Sequence, residues 1–214
     1  MTAAASPGPT ITPMTRREFL YYVWGASMAL FMAEMGGALV WFALPRFRAG
    51  EFGGVFTLDV STLPQPDTGP KDFPDGRFWL VNLGSKDVAD PRQPKDYPGW
   101  LQPGLAAIYK VCVHLGCLYK WVPTNNRFEC PCHGSKYLSS GLRVDGPARR
   151  NLDRFIIKAL DASGNVLTQT KSGDPGSDDT AGAPFQLPAG TAQIQIDTGK
   201  RMQGAPNTKD DGGK

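Results

Sequence analysis

The chain has 214 residues, 41% of them hydrophobic and 20% charged, with a net charge of +3. That is room for one ordinary domain with additions, and enough apolar material for a packed core. The small positive excess, without a run of Lys or Arg, excludes a nucleic-acid-binding stripe, and 25 Gly with 19 Pro favour a loop-rich β body over a helix bundle.

Residues 1–18 form an N-terminal tail. Its first fourteen residues are small and polar with three prolines, a composition that cannot build a core. Residues 19–44, FLYYVWGASMALFMAEMGGALVWFAL, carry one charge, Glu34. A hydrocarbon layer of about 30 Å is crossed by about 20 helical residues, so this segment reads as a transmembrane anchor. Tyr21, Tyr22 and Trp24 at one end and Trp41 at the other suit the two interfaces. The competing readings are a buried soluble helix and a cleaved signal. The apolar stretch is longer than a signal's hydrophobic region, and no Ala-x-Ala site follows closely. Glu34 is costly in lipid unless paired or neutral, so it is expected to face a partner subunit. Gly25, Ala29, Ala33 and Gly37 line one stripe of small residues that permits close helix contact. Arg16 and Arg17 before the segment are balanced by Arg46 and Arg48 after it, so charge alone does not orient the anchor. The stretch TRREFL, Thr15–Leu20, breaks the tie because it matches a twin-arginine export signal ahead of an apolar run. The expected orientation is N-terminus inside and body outside.

Residues 45–54, PRFRAGEFGG, are expected to be a short flexible linker. From Val55 the pattern changes to short β-type runs: VFTLDV (55–60), RFWLVNL (77–83), LAAIYKVC (105–112), RFEC (127–130), RFIIKAL (154–160) and NVLTQT (165–170). DVADPRQPKDYPGWLQPG between the second and third runs, with four prolines, reads as loop. DASGN (161–165) reads as a hairpin turn. Residues 171–214 are a polar extension in which TAQIQID (191–197) could form a strand and the remainder reads as disordered or lying along a partner.

All four cysteines and both histidines fall in two short stretches, CVHLGC (112–117) and CPCHGS (130–135). Thiolate and imidazole at such spacing point to a metal. A tetrahedral zinc site usually takes C-x₂₋₄-C with H-x₃₋₅-H, and neither pair here follows that order. Two structural disulfides would leave the confinement of both histidines unexplained. A 2Fe-2S centre in which two His replace two Cys on one iron needs two Cys and two His from two loops, which this chain provides.

The two boxes resemble the C-T-H-L-G-C and C-P-C-H-G-S boxes of the Rieske iron-sulfur proteins, subunits of cytochrome bc and bf complexes. The resemblance covers anchor, linker and head to about residue 170, and implies an all-β Rieske-type head domain at 55–170, with antiparallel sheets and a cluster-binding subdomain, plus one N-terminal transmembrane helix. It implies that Cys112 and Cys130 bind the buried iron of one Rieske-type 2Fe-2S cluster, that His114 and His133 bind the outer iron, and that Cys117 and Cys132 form a disulfide between the loops. Ser135 and Tyr137 match the Ser-x-Tyr of high-potential members, whose hydroxyls bond cluster or ligand sulfur. Gly116 and Gly134 are expected to let backbone N–H groups approach the sulfurs. Gly146, Pro147 and Ala148 resemble the proline loop that shields the cluster. Arg149-Arg150-Asn151-Leu152 departs from the family's Pro-x-Asn-Leu continuation, adding two charges expected to alter the docking face, and Val113 stands where Thr is usual. The twelve residues between the boxes resemble the bf type more than the mitochondrial one.

The resemblance implies a high-potential subunit that takes an electron from quinol at a cytochrome b-type subunit, with His133 as quinol contact and proton acceptor, and passes it to a c-type cytochrome or plastocyanin-type acceptor. The expected place is a bacterial plasma membrane, single-pass, N-terminus cytoplasmic and cluster domain periplasmic. The alternative is the Rieske small subunit of an arsenite-oxidase-like molybdenum enzyme, whose members usually lack the residues matching Ser135 and Tyr137.

Overall fold

The structure, a computed structural model, describes residues 13–44, 52–93 and 95–206, so the tail to residue 12, most of the expected linker and residues 207–214 lie outside the described residues. The chain divides into two units, an N-terminal helix and a β head.

Helix α1 (Arg16–Ala43) has 28 residues, about 42 Å at 1.5 Å per residue. It starts ahead of the expected apolar segment because Thr15 caps it. The Glu18 amide donates to Thr15 Oγ1 at 3.3 Å and the Thr15 amide donates to Glu18 Oε2 at 2.9 Å. This reciprocal capping box satisfies two of the helix's orphan donors. Arg16 and Arg17 therefore form the first helical turn. None of the helix residues is buried. In length and composition α1 is the one described helix that could cross a membrane.

The head contains eleven strands among the described residues: β1 (Val55–Asp59), β2 (Lys71–Phe73), β3 (Phe78–Leu83), β4 (Gly104–Tyr109), β5 (Lys120–Val122), β6 (Arg127–Glu129), β7 (Lys136–Tyr137), β8 (Arg143–Asp145), β9 (Arg154–Leu160), β10 (Val166–Gln169) and β11 (Gln193–Met202). A large sheet runs β1-β11-β9-β4-β3-β2, with β10 added on β9, and a small sheet runs β5-β6-β7-β8. Every pairing is antiparallel. The small sheet is inserted in the chain between β4 and β9, which are neighbours in the large one.

The period-two alternation of β3 and β4 explains how the sheets are joined. Phe78, Leu80, Leu105, Ala107 and Tyr109 face a core with Phe155, Ile157, Ile194 and Ile196. Trp79, Val81, Leu83, Ala106 and Ile108 face the opposite core, which holds Phe128 and Tyr137 of the small sheet and Tyr119 just before it, together with Cys112 and Cys130. Both faces being covered, β4 is buried throughout and reads as a continuous apolar run. The two cysteines are thus seated in the core shared by the sheets.

Strands β2, β5, β7 and β8 and the one-turn helix α2 (Ser85–Val88) are additions to the sequence reading. Each has two to four residues, too few for a period to register. The hairpin at 161–165 forms, closed by Asp161 N–H to Asn165 O at 3.0 Å. The proline-rich segment before β4 is more than loop: it contributes Trp100, fully buried, with the Arg154 guanidinium stacked 3.6 Å from its ring centre.

Two expected boundaries need correction. The head begins by Phe52, which stacks on Tyr109 at 5.7 Å, while the Gly53 amide donates to Thr198 Oγ1 at 2.9 Å. The polar segment beyond residue 170 is no disordered extension over its described part. Its strand β11 lies between β1 and β9. Ile194 and Ile196 point into the core while Gln193, Gln195 and Asp197 point outward, so a strand with one wet face carries a polar composition.

Candidate metal centre

The first loop, 112–117, follows β4, and the second, 130–135, joins β6 to β7. They are the same turn repeated. Cys112 N–H donates to Cys117 O at 2.8 Å and Gly116 N–H to Cys112 O at 3.0 Å; Cys130 N–H donates to Ser135 O at 2.9 Å and Gly134 N–H to Cys130 O at 3.0 Å. Gly116 and Gly134 have φ of 83° and 76°. The amides of both glycines are spent on carbonyls, and the backbone N–H groups that act on the Cys130 thiol are those of Cys132 and His133, in the turn that Gly134 closes. Nothing lies within 4 Å of a Cβ built at either position, so their requirement is the left-handed backbone of each turn.

A Cys117–Cys132 disulfide ties the loops, with a Cα–Cα distance of 6.6 Å. Cys112 and Cys130 are free and buried, their thiols within hydrogen-bonding reach of each other. His114 is half-buried, His133 is exposed, and their rings lie 4.8 Å apart at 83°. The sulfurs of Cys117, Cys130 and Cys132 also fall within 4.8 Å of one another. That trio cannot supply three thiolates, because two of its sulfurs are bonded together. The available donors are therefore two thiols and two imidazoles.

Three features show that these donors suit a cluster. Burial pushes the Cys130 thiol up, so its anion needs a compensating cation. His114 Nδ1 is buried with no hydrogen-bond partner in the protein, a costly state for a ring nitrogen unless it binds something. The Tyr137 hydroxyl lies 3.2 Å from Cys112 Sγ. Burial first, and the adjacent Cys112 second, push the Tyr137 phenol far above its ordinary value, so it stays protonated and can donate to a thiolate. Two Cys and two His on a 2Fe-2S centre require this donor set.

Ser135 is fully buried, and its Oγ accepts from the Ala148 amide at 3.2 Å, leaving the hydroxyl proton to be donated. Ala148 belongs to the third loop, whose Gly146 packs on the second. A Cβ on Gly146 would stand 2.4 Å from Ser135 Cα and 2.7 Å from Gly134 O. Pro147 is exposed beside it. The two arginines that follow diverge. Arg149 is exposed, but Arg150 is ion-paired with Asp153, so one added charge faces solvent rather than two. Asp153 is 1% exposed and also accepts from the Gly204 amide at 2.9 Å. Neither Asp153 nor Gly204 was indicated by any sequence motif; only the Arg-x-x-Asp spacing hints at the pair.

A family model described as the Rieske [2Fe-2S] domain matches residues 66–156. Over 151 residues the chain is 31% identical to the cytochrome b6-f complex iron-sulfur subunit 2 of Trichormus variabilis, covering 69% of this chain and 82% of that one. Over 141 residues it is 51% identical to the cytochrome b6-f complex iron-sulfur subunit of Chlorobaculum thiosulfatiphilum, covering 65% of this chain and 68% of that one. A solved structure described as "Hyperthermophilic respiratory Complex III" is 30% identical and covers 62% of this chain and 89% of that chain, with a TM-score of 0.34, too low for the superposition to bear on the fold. Relatives so named do not favour the arsenite-oxidase-like alternative.

Proposed function

The chain belongs to the Rieske 2Fe-2S family, and from that premise we propose that it is the high-potential iron-sulfur subunit of a cytochrome bc/bf-type complex. In this reading it accepts an electron from quinol at a cytochrome b-type subunit and delivers it to a c-type cytochrome or equivalent acceptor. When bound, the cluster supplies one-electron chemistry at a potential in the range of about −150 to +300 mV.

The residues do the rest. Cys112 and Cys130, buried in the shared core, would hold the inner iron as thiolates. His114 and His133 would hold the outer iron through one ring nitrogen each. His133 is exposed, and its other ring nitrogen would take the quinol's proton from a state in which that nitrogen carries none. Tyr137 donates to Cys112 sulfur, and Ser135 has a hydroxyl proton to donate; both favour the more negative, reduced state and raise the potential. Leu115, 70% exposed, and Leu118, 59% exposed, give the loop tips an apolar surface suited to a membrane-embedded partner. Helix α1 is the single-pass anchor, in a bacterial plasma membrane, with the twin-arginine stretch at Thr15–Leu20 on the cytoplasmic side and the head on the periplasmic side.

The Tyr137 hydroxyl on Cys112 sulfur, with both groups buried, is the observation that carries this reading toward a high-potential centre. A potentiometric EPR titration from pH 6 to 10 tests it. The expected midpoint lies in the upper part of the Rieske range at neutral pH and falls as pH rises, as coupled electron and proton uptake requires. A low midpoint that does not vary with pH would contradict it, as would failure to co-purify with a b-type cytochrome from native membranes.

A further inference from the structure

We propose that the C-terminal run Gly204-Ala205-Pro206, joined to Arg150 through the buried Asp153, is a positioning clamp that holds the Gly146–Ala148 loop over the metal site. The inference rests on the reading of that loop as the cover of the cluster. It concerns a part of the chain outside the region matched by the family model, which ends at residue 156.

The cover is held on its near side, where the Arg143 guanidinium donates to Gly146 O, the Gly146 amide donates to Asp145 Oδ1 at 2.8 Å and Ala148 is fully buried; the clamp acts on its far side. The cover's inner side rests on the second ligand loop through Ala148 N–H to Ser135 Oγ at 3.2 Å and the close approach of Gly146, while Pro147 and Arg149 are exposed. Beyond Arg149 the chain is fixed residue by residue against the C-terminal run. Arg150 forms an isolated β-bridge with Pro206. The Asn151 amide donates to Ala205 O at 2.9 Å. A Cβ on Gly204 would stand 2.0 Å from Asn151 O and 2.7 Å from Leu152 O, so the two backbones touch where only glycine fits.

Asp153 is the joint. Its carboxylate pairs with Arg150 on the cover side, and on the other side accepts from the Gly204 amide at 2.9 Å and lies 3.5 Å from Arg201 Nε. A carboxylate only 1% exposed is stable as an anion only with such partners, so cover and tail are ordered together. The run is itself anchored: Ala205 is fully buried against Tyr97, Trp100 and Leu142, and the Tyr97 hydroxyl donates to Pro206 O. The charge at Arg150 is thereby explained as half of an internal fastening rather than part of a docking face.

If the clamp loosens, the Ala148 amide leaves Ser135, and the serine hydroxyl is freed from the orientation that lets it donate toward the metal site. The test uses the full-length, cluster-loaded protein as Gly204→Ala, with Tyr97→Phe as the milder variant and Lys200→Ala, an exposed neighbour on β11, as control. Amide exchange by mass spectrometry and the EPR-monitored midpoint are read together. The expected result for Gly204→Ala is exchange at 148–152 at least tenfold faster, a lower midpoint, and iron content equal to wild type. Tyr97→Phe shifts both readouts the same way by less, and Lys200→Ala shifts neither. Unchanged exchange and midpoint in folded Gly204→Ala overturn the clamp. If that variant does not fold, unchanged values in Tyr97→Phe do so. A wild-type protein without iron and sulfide would defeat the metal reading instead, and the exchange arm would then decide the clamp alone.

Discussion

Tyr137 shows how one hydroxyl can matter to the whole molecule. It is buried, cannot ionise at physiological pH, and has Cys112 sulfur 3.2 Å away. Phenylalanine keeps the packing against Tyr119 and removes only the donor. Losing a hydrogen bond to a charged acceptor costs about 1.5–3 kcal/mol, part of it in both redox states. Tyr137→Phe is therefore expected to lower the midpoint by several tens of mV, given about 59 mV per factor of ten for one electron, with little change in melting temperature. Gly146 gives the opposite pattern. Its φ of 94° and the 2.4 Å approach to Ser135 Cα leave no place for a methyl group. Gly146→Ala is expected to destabilise the head by about 2 kcal/mol or more and to release iron on mild heating, read by melting and by loss of visible absorbance.

At the scale of elements, the ligand loops are held by two devices of different kinds. The disulfide closes a loop with a sequence separation of 15, which constrains the unfolded chain by about 3 kcal/mol. Replacing Cys117 and Cys132 together by serine should lower the melting temperature by roughly 6–12 °C, measured against wild type under non-reducing conditions. The second device is a polar seam under the turn after Tyr137. Ser139 Oγ donates to Asp87 Oδ1 at 2.9 Å, and Ser140 Oγ to Gln93 Oε1 at 2.7 Å. Burial, more than the opposing Ser139 bond, raises the Asp87 carboxyl above its ordinary value. The folded state thus holds that proton more tightly than the unfolded one, so its stabilising effect is complete below the unfolded pKa of about 3.9 and is lost as pH rises through the raised folded value. Asp87→Asn keeps an acceptor for Ser139 and removes the ionisation. It should melt above wild type at pH 8, with the gap closing toward pH 4; a gap constant across that range would contradict this account of Asp87. The contrast between these devices also shows what the sequence discloses. RFIIKAL coincides with β9, and the two Cys-His boxes are legible because their chemistry is local. Strands β7 and β8 are not, because they are too short to show a period, and neither are the Asp87 seam and the Asp153–Gly204 contact, whose partners lie about fifty residues away along the chain. Tail strand β11 is legible over the alternating TAQIQID but not over its polar continuation to Met202.

The whole molecule combines an apolar helix with a head whose metal-site residues lie in the core between two sheets. That placement puts the sulfur donors inside, the imidazoles toward the surface and the apolar loop tips outermost, an order suited to passing one electron. The arrangement depends on the identity of what the two thiols and two rings hold. The most direct measurement is iron, zinc and acid-labile sulfide analysis of the gently purified full chain, with an EPR spectrum after reduction. Two irons and two sulfides per chain, with a rhombic signal in the reduced state, are predicted. Zinc alone, or iron without sulfide, would contradict the assignment of Cys112, His114, Cys130 and His133 to a 2Fe-2S cluster.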